Sequence, residues 1–182
     1  MIRSIALLGL CAVLTAFLLS MIWGHQQARN NGTEIILDME PVDPRSLFRG
    51  HYVIIRTPLN IIELDQYYGD NDFKVGDKVF VSLTKVEADQ WQISSVNKQQ
   101  PEAGSNFIQG RVNHYRSSSK KWPQRIRVKY NIESYFADKV SALALEKKVS
   151  ESKMRIILAV DENGKAVIRG LEIDGTRFID EL

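Results

Sequence analysis

The hydrophobic residues of this chain form two patterns, a continuous block near the N-terminus and short alternating runs over the remainder. From Ile5 to Trp23 there is no charged residue, and only Gly9, Thr15 and Ser20 lie outside the hydrophobic class. A helix over these 19 residues would be about 28 Å long, close to the hydrocarbon thickness of a bilayer. The block therefore predicts a membrane-spanning helix, with the lipid bilayer as its partner.

The residues around this block favour an uncleaved anchor over a cleaved signal peptide. Arg3 precedes the block, and Trp23 ends it where an indole ring would lie at the membrane interface. A cleavage site needs small residues, whereas Met21 and Ile22 are bulky. Positive charge at the leading end favours an N-terminus in the cytoplasm. We expect a signal-anchor helix over residues 1–24 in a bacterial inner membrane, with the rest of the chain in the periplasm. A cleaved signal is the alternative.

Beyond a polar stretch at residues 25–33, which we expect to be a flexible linker, the chain alternates apolar and polar residues with the period of β-strands. Asn163-Gly164 and Asp174-Gly175 are dipeptides typical of tight hairpin turns. The alternation predicts strands within residues 34–40, 52–56, 78–86, 91–96, 107–115, 124–130, 154–160, 165–173 and 177–179.

One soluble helix is predicted within this β pattern. From Ala137 to Val149 the apolar residues have helical spacing. We therefore expect a mainly β (α+β) fold, in which a single N-terminal transmembrane helix precedes an antiparallel β sandwich or partly open barrel with one helix. Residues 34–182 would form this extracytoplasmic domain.

The composition narrows the chemistry that this domain can perform. Lys and Arg number 24 against 22 Asp and Glu, so the formal net charge of +2 is too small for a dedicated nucleic-acid binder. The single cysteine, Cys11, lies in the apolar block, which excludes an internal disulfide and a four-cysteine zinc site. His25, His51 and His114 share no metal-ligand spacing, and no Gly-x-Ser-x-Gly motif occurs. We expect no catalytic residue, metal or cofactor, and favour a non-enzymatic role over an enzymatic one.

The first candidate binding segment runs from Pro41 to Val53 and contains two arginines. Arg45 and Arg49 are four residues apart, so one helical turn would project both guanidinium groups from one face. Such a pair could clamp a carboxylate or phosphate, or could hold an acid of the domain itself. The candidate binding residues of this segment are Asp43, Arg45, Arg49, Gly50, His51 and Tyr52.

The second candidate is one face of a predicted strand. Arg125, Arg127 and Lys129 alternate with apolar residues, so the basic side chains share one face of the strand. They end a stretch that begins at Arg111 and contains no acid. Outside the membrane such a stretch favours an acidic partner, anionic lipid headgroups or glycan anions, and excludes nucleic acid. A solvated strand face without a ligand is the alternative.

The chain resembles the GDYXXLXY proteins, a family of membrane-anchored bacterial proteins. In the motif that names the family, Gly50 and Tyr52 agree, whereas His51 stands where the family has Asp. Ile55 replaces the family's Leu and Thr57 its final Tyr, so a role that needs the carboxylate is not carried over to His51. The matching blocks are Pro41-Val42-Asp43-Pro44-Arg45, Leu47-Phe48-Arg49-Gly50, Tyr52-Val53, Tyr135-Phe136, Leu145-Glu146, Val160-Asp161 and Gly170-Leu171.

The resemblance implies an anchored outer domain that accompanies a multi-spanning membrane protein, without an established activity, cofactor or catalytic residue. We therefore predict a membrane-anchored accessory protein whose outer domain engages a membrane or envelope partner through Arg45, Arg49 and the basic residues between 111 and 129. The alternative is an extracytoplasmic module that binds a small molecule or glycan, or a weak hydrolase, using Arg49, His51 and Tyr52.

Overall fold

A computed structural model describes residues 2–40, 52–87, 89–102, 104–119, 121–136 and 154–179 of the chain. These residues form one helix, twelve strands and two 3-10 turns, which confirms the mainly β class. The elements are α1 (Ile2–Asn31), β1 (Thr33–Asp38), β2 (Tyr52–Ile54), β3 (Ile61–Glu63), β4 (Tyr68–Gly69), β5 (Lys78–Glu87), β6 (Gln90–Asn97), β7 (Phe107–Arg116), β8 (Arg125–Lys129), β9 (Ser134–Phe136), β10 (Met154–Val160), β11 (Ala166–Ile173) and β12 (Thr176–Ile179). The 3-10 turns are Pro58–Asn60 and Leu64–Gln66.

The strands form two main sheets and a separate pair. One sheet has four antiparallel strands in the order β1-β10-β11-β12. The other has six strands in the order β3-β8-β7-β5-β6-β4. Only the short contact between β4 and β6 in this sheet is parallel. Strands β2 and β9 pair with each other at Tyr52–Ile54 and Ser134–Phe136.

A single hydrophobic core contains side chains from both main sheets. Alternate residues such as Ile35 and Ile156 contribute from the four-stranded sheet, and Val79, Ile108 and Ile126 contribute from the six-stranded sheet. All five are shielded from solvent. Because each such aliphatic side chain gains about 1.5–3 kcal/mol on leaving water, the period-two pattern of the sequence determines which face of each strand points inward.

The turn between β10 and β11 joins the two sheets. The Asp161 carboxylate accepts hydrogen bonds from the backbone N–H groups of Asn163 and Lys165, at 2.9 and 2.8 Å. Gly164 adopts a φ of 78°, and its carbonyl accepts a 2.7 Å hydrogen bond from the N–H of Gln109 in β7. A side chain at position 164 would clash with the Phe107 ring. The hairpin predicted from Asn163-Gly164 is therefore also a contact between the sheets.

Helix α1 extends further than the sequence predicted. Residues 25–31, which we expected within a flexible linker, are helical, and the helix ends only at Asn31 before Gly32. Ala28 and Arg29 are buried, and the end of α1 lies against β10 and β11. These tertiary contacts extend the helix, because packing stabilises turns that intrinsic propensity alone leaves marginal. The boundaries proposed at residues 24 and 33 for the domains stay predictions.

Other sequence predictions fall outside the described residues. The soluble helix expected from Ala137 to Val149 lies there, as does most of the candidate segment from Pro41 to Val53. The strands expected from the alternation at 78–86, 107–115 and 154–160 are confirmed as β5, β7 and β10.

Candidate functional site

Basic side chains lie on the outer face of β8, on the second half of β7 and at the start of β5. In β8 the alternation predicted from the sequence is confirmed, because Ile126 and Val128 are buried whereas Arg127 and Lys129 are exposed. The neighbouring strands add basic residues to the same face through their register with β8. We call this surface the cationic face, and it consists of Lys78, Arg111, His114, Arg116, Arg125, Arg127 and Lys129.

The cationic face is arranged in rows of directly opposed residues. Lys129 lies opposite Arg111, and Arg111 lies opposite Lys78, so three cations face one another across three strands. The register shifts between Val112 and His114, and this irregularity places His114 opposite Arg127. Like charges directly opposite each other destabilise an antiparallel pair. The rows therefore have a cost in stability that an interaction with an anion would offset.

Some members of the cationic face have partners within the domain. Arg125 forms an ion pair with Glu63, which lies opposite it in β3. The Arg116 guanidinium lies 5.2 Å from the centre of the Trp122 ring, a distance that suits a cation–π contact. Arg111 donates a 2.9 Å hydrogen bond to the carbonyl of Gly76. These contacts hold three side chains of the face in defined positions.

Within the described part of the chain, three other basic residues of the face lack acidic partners. Among the residues that the structure describes, Lys78, Arg127 and Lys129 have no carboxylate within 4.0 Å. All three are exposed. Their charge is therefore available to a ligand or a partner.

The four-stranded sheet shows the opposite arrangement. Glu172 is buried and forms ion pairs with Arg155 and Arg177. Glu34 forms ion pairs with Arg169 and again with Arg177, at 3.3 and 3.0 Å. Each arginine of that sheet thus has a glutamate of the domain as an ion-pair partner. The contrast distinguishes the cationic face from an ordinary charged sheet surface.

A pocket of about 490 Å³ adjoins the cationic face at its β8 edge. Its apolar wall includes the buried Ile55 and Val128 together with Ile61, whose side chain is 42% exposed. Both cations and acids line it, and Arg127 and Lys129 belong to the pocket as well as to the face. The lining consists of Glu40, Ile54, Ile55, Arg56, Asn60, Ile61, Asn113, Arg127, Val128, Lys129 and Glu133.

Backbone hydrogen bonds connect four residues that line this pocket. The N–H of Glu40 donates a 2.8 Å hydrogen bond to the carbonyl of Arg56. The N–H of Ile55 donates a 2.9 Å hydrogen bond to the carbonyl of Glu133. Glu40 and Ile54, which stand on either side of residues 41–51, both line the pocket.

Tyr130 supports the wall of the pocket from the core. Its hydroxyl donates a 2.9 Å hydrogen bond to the carbonyl of Leu59, and its N–H donates a 2.6 Å hydrogen bond to the carboxylate of Glu133. Burial raises the pKa of the Tyr130 hydroxyl well above its ordinary value, and the negative charge of Glu133 raises it further. Tyr130 thus connects the segment that holds Leu59 to the end of β8.

The structure brings together only part of the predicted site. Arg125, Arg127 and Lys129 share one face, whereas Tyr52 begins β2, where its backbone pairs with Phe136. Five other predicted binding residues lie outside the described residues, namely Asp43, Arg45, Arg49, Gly50 and His51. Their roles stay predictions.

Sequence reasoning missed Lys78, Arg56 and Glu133. Lys78 is far from Arg111 in the sequence, and only the pairing of β5 with β7 brings the two together. Arg56 ends the strand predicted at residues 52–56 and Glu133 precedes the short strand β9, so neither belongs to the basic stretch from Arg111 to Lys129. Nothing in the local sequence connects Arg56 or Glu133 with Arg127, because only the tertiary structure brings these residues to one pocket.

Metal chemistry receives no support from the described residues. Among them, no group of three or more His, Cys, Asp and Glu side chains is arranged to hold a metal ion. Cys11 is a free cysteine on the exposed surface of α1.

The chain matches a known protein family. A family model described as GDYXXLXY protein matches residues 14–171, which is most of the chain. No curated protein and no solved structure matches the chain.

Proposed function

This chain belongs to the GDYXXLXY family, and from that premise we propose that it is a membrane-anchored accessory protein whose β domain binds an acidic partner in the cell envelope. Helix α1 would hold the protein in the membrane. The cationic face would provide the binding surface. The partner would be a membrane or envelope protein, and a multi-spanning protein is the kind that the family resemblance implies.

The apolar surface of α1 supports the anchor. Among the described residues, one helix is long and apolar enough to cross a membrane. Its large side chains point away from the domain, and Leu8 and Trp23 are 71% and 75% exposed. Because each Leu, Ile, Phe or Met side chain gains about 1.5–3 kcal/mol on full removal from water, a bilayer is the environment that this surface favours. Arg3 favours a cytoplasmic N-terminus and therefore a β domain in the periplasm.

The single observation that carries the proposed binding is the row formed by Lys78, Arg111 and Lys129. Three opposed cations without a described carboxylate partner cost stability, while each arginine of the other sheet is paired with Glu34 or Glu172. An acidic protein surface would offset this repulsion. Because exposed charges are screened over about 8 Å at physiological ionic strength, the interaction should weaken as salt is added.

Crosslinking in membranes tests this proposal. We compare the native chain with a face variant, Lys78→Gln/Lys129→Gln, and a control variant, Lys85→Gln/Lys165→Gln. Each variant lacks two lysines, and all four substituted lysines are exposed in the native chain. We expect the native and control chains to retain the same acidic partner, crosslinked at the cationic face, and the face variant to recover markedly less of it. Equal recovery of that partner by all three chains would contradict the role of the face.

A further inference from the structure

The pocket beside the cationic face combines an apolar wall with unneutralised positive charge. Ile61 stands directly opposite Arg127 in the pairing of β3 with β8, so an exposed aliphatic side chain neighbours a guanidinium. Ile54 and Ile55 extend the apolar wall across the pocket. Binding sites for small molecules commonly have such an apolar lining with a few polar groups that fix the orientation of the ligand.

The acids of the pocket do not neutralise its cations by contact. Arg56, Arg127 and Lys129 line the pocket with Glu40 and Glu133, yet no ion pair joins any of these cations to a carboxylate among the described residues. The Glu133 carboxylate instead accepts the 2.6 Å hydrogen bond from the N–H of Tyr130. Among the described residues of the lining, three cations therefore exceed two acids by one charge and keep their donors available. Two of the cations are guanidiniums, whose paired N–H groups match carboxylate and phosphate oxygens.

We propose that this pocket binds a small amphiphilic anion, with its carboxylate or phosphate head at Arg56 and Arg127 and its apolar body against Ile61 and Ile54. One net positive charge in the lining suits a ligand with one net negative charge. The volume of about 490 Å³ lies within the roughly 300–1,000 Å³ of small-molecule sites. This inference goes beyond the proposed function, because it assigns a small-molecule ligand to the pocket, of which only Arg127 and Lys129 also belong to the cationic face.

The test uses the full chain in nanodiscs of uncharged lipid, titrated in a calorimeter, with empty nanodiscs to correct for partitioning into the bilayer. Four probes separate the contribution of the anionic head of the ligand from that of its apolar body. Hexanoate and hexyl phosphate carry both head and body, acetate carries only the head, and 1-hexanol carries only the body. We expect saturable binding of at least one amphiphilic anion, with acetate and hexanol at least about tenfold weaker. The preferred head identifies the ligand as a carboxylate or a phosphate.

Variants locate the binding. Arg56→Gln removes a head contact, and Ile61→Ser shortens the apolar wall at a position exposed enough to tolerate the change. Each substitution should lower the affinity for the amphiphilic probe by about tenfold, whereas Lys85→Gln should leave that affinity unchanged. Absence of saturable binding to the native chain, or equal affinity in native, Arg56→Gln and Ile61→Ser chains, would overturn the proposal. Because neither position belongs to the cationic face, failure here would not affect the crosslinking result.

Discussion

Arg111 in β7 and Lys129 in β8 are directly opposed cations on the same face of an antiparallel pair. Lys78 continues this row on the other side of Arg111. Opposite charges at such positions typically contribute about 0.2–1 kcal/mol, and like charges destabilise. Repulsion within the row therefore lowers the stability of the domain, and substituting one of its cations should recover part of the lost stability.

Reversing one charge of the row should stabilise the domain. We expect Lys129→Glu to place a carboxylate opposite Arg111 and to raise the melting temperature in nanodiscs by about 2 °C. Lys85 lies opposite Trp91 rather than a cation, so Lys85→Glu is the control and should change the melting temperature by less than about 1 °C. A lower melting temperature for Lys129→Glu than for the control would show that the opposed charges are not in conflict.

A methyl group at position 164 should weaken the contact between the two sheets. Gly164 and Gly175 have similar φ values, 78° and 81°, but only Gly164 is packed against the Phe107 ring, whereas the space beside Gly175 is open. Gly175→Ala should cost about 1 kcal/mol for its backbone conformation alone. Gly164→Ala should cost about 1–3 kcal/mol more because of the clash. Urea denaturation of the two variants measures the difference, and equal costs would mean that the turn does not clamp the sheets.

Stability at alkaline pH should depend on Tyr130. Burial raises the pKa of its hydroxyl in the folded protein, while an unfolded tyrosine titrates near pH 10. Above about pH 10 the unfolded state therefore loses a proton that the folded state retains, and stability falls as the pH rises. Below that pH the Tyr130 hydroxyl contributes its full stabilisation through the hydrogen bond to Leu59, worth about 1 kcal/mol.

Comparing Tyr130→Phe with the native chain isolates this effect. The variant should be less stable at pH 7, and the difference in unfolding free energy should shrink above about pH 10, because phenylalanine does not ionise. Tyr68 is exposed, so Tyr68→Phe should follow the native chain across the same range. A constant difference between Tyr130→Phe and the native chain from pH 7 to pH 11 would contradict the assignment.

Enzyme fusions at the C-terminus test the proposed location of the β domain in the periplasm. Alkaline phosphatase fused after Leu182 should be active, because the β domain is proposed to lie in the oxidising periplasm, where the enzyme forms its disulfides. β-Galactosidase fused at the same residue should be inactive and serves as the complementary control. An inactive phosphatase fusion that is expressed at a normal level would place the domain in the cytoplasm and require a different class of partner.

The strands could largely be predicted from local sequence because each face of the sheet imposes a period of two. In β8, Ile126 is buried and Arg127 exposed as the alternation requires. The turn at Asp174-Gly175 was also readable, because both residues take positive φ values of 49° and 81°, as a tight hairpin demands.

Features of the site that depend on contacts between distant residues could not be predicted from the local alternation. The row of Lys78, Arg111 and Lys129 depends on strand register, which connects residues far apart in the sequence. The shift between Val112 and His114 depends on an irregularity that alternation does not reveal. The local sequence does not predict that residues 25–31 are helical, because the packing of this end of α1 against β10 and β11 is a tertiary effect.

The central claim is that the cationic face binds an acidic partner, and the amount of partner recovered by crosslinking tests it most directly. The account predicts that Lys78→Gln/Lys129→Gln recovers several-fold less of the partner than Lys85→Gln/Lys165→Gln, and that added salt reduces recovery by the control chain. Recovery that is equal in the two variants and insensitive to salt would contradict the claim.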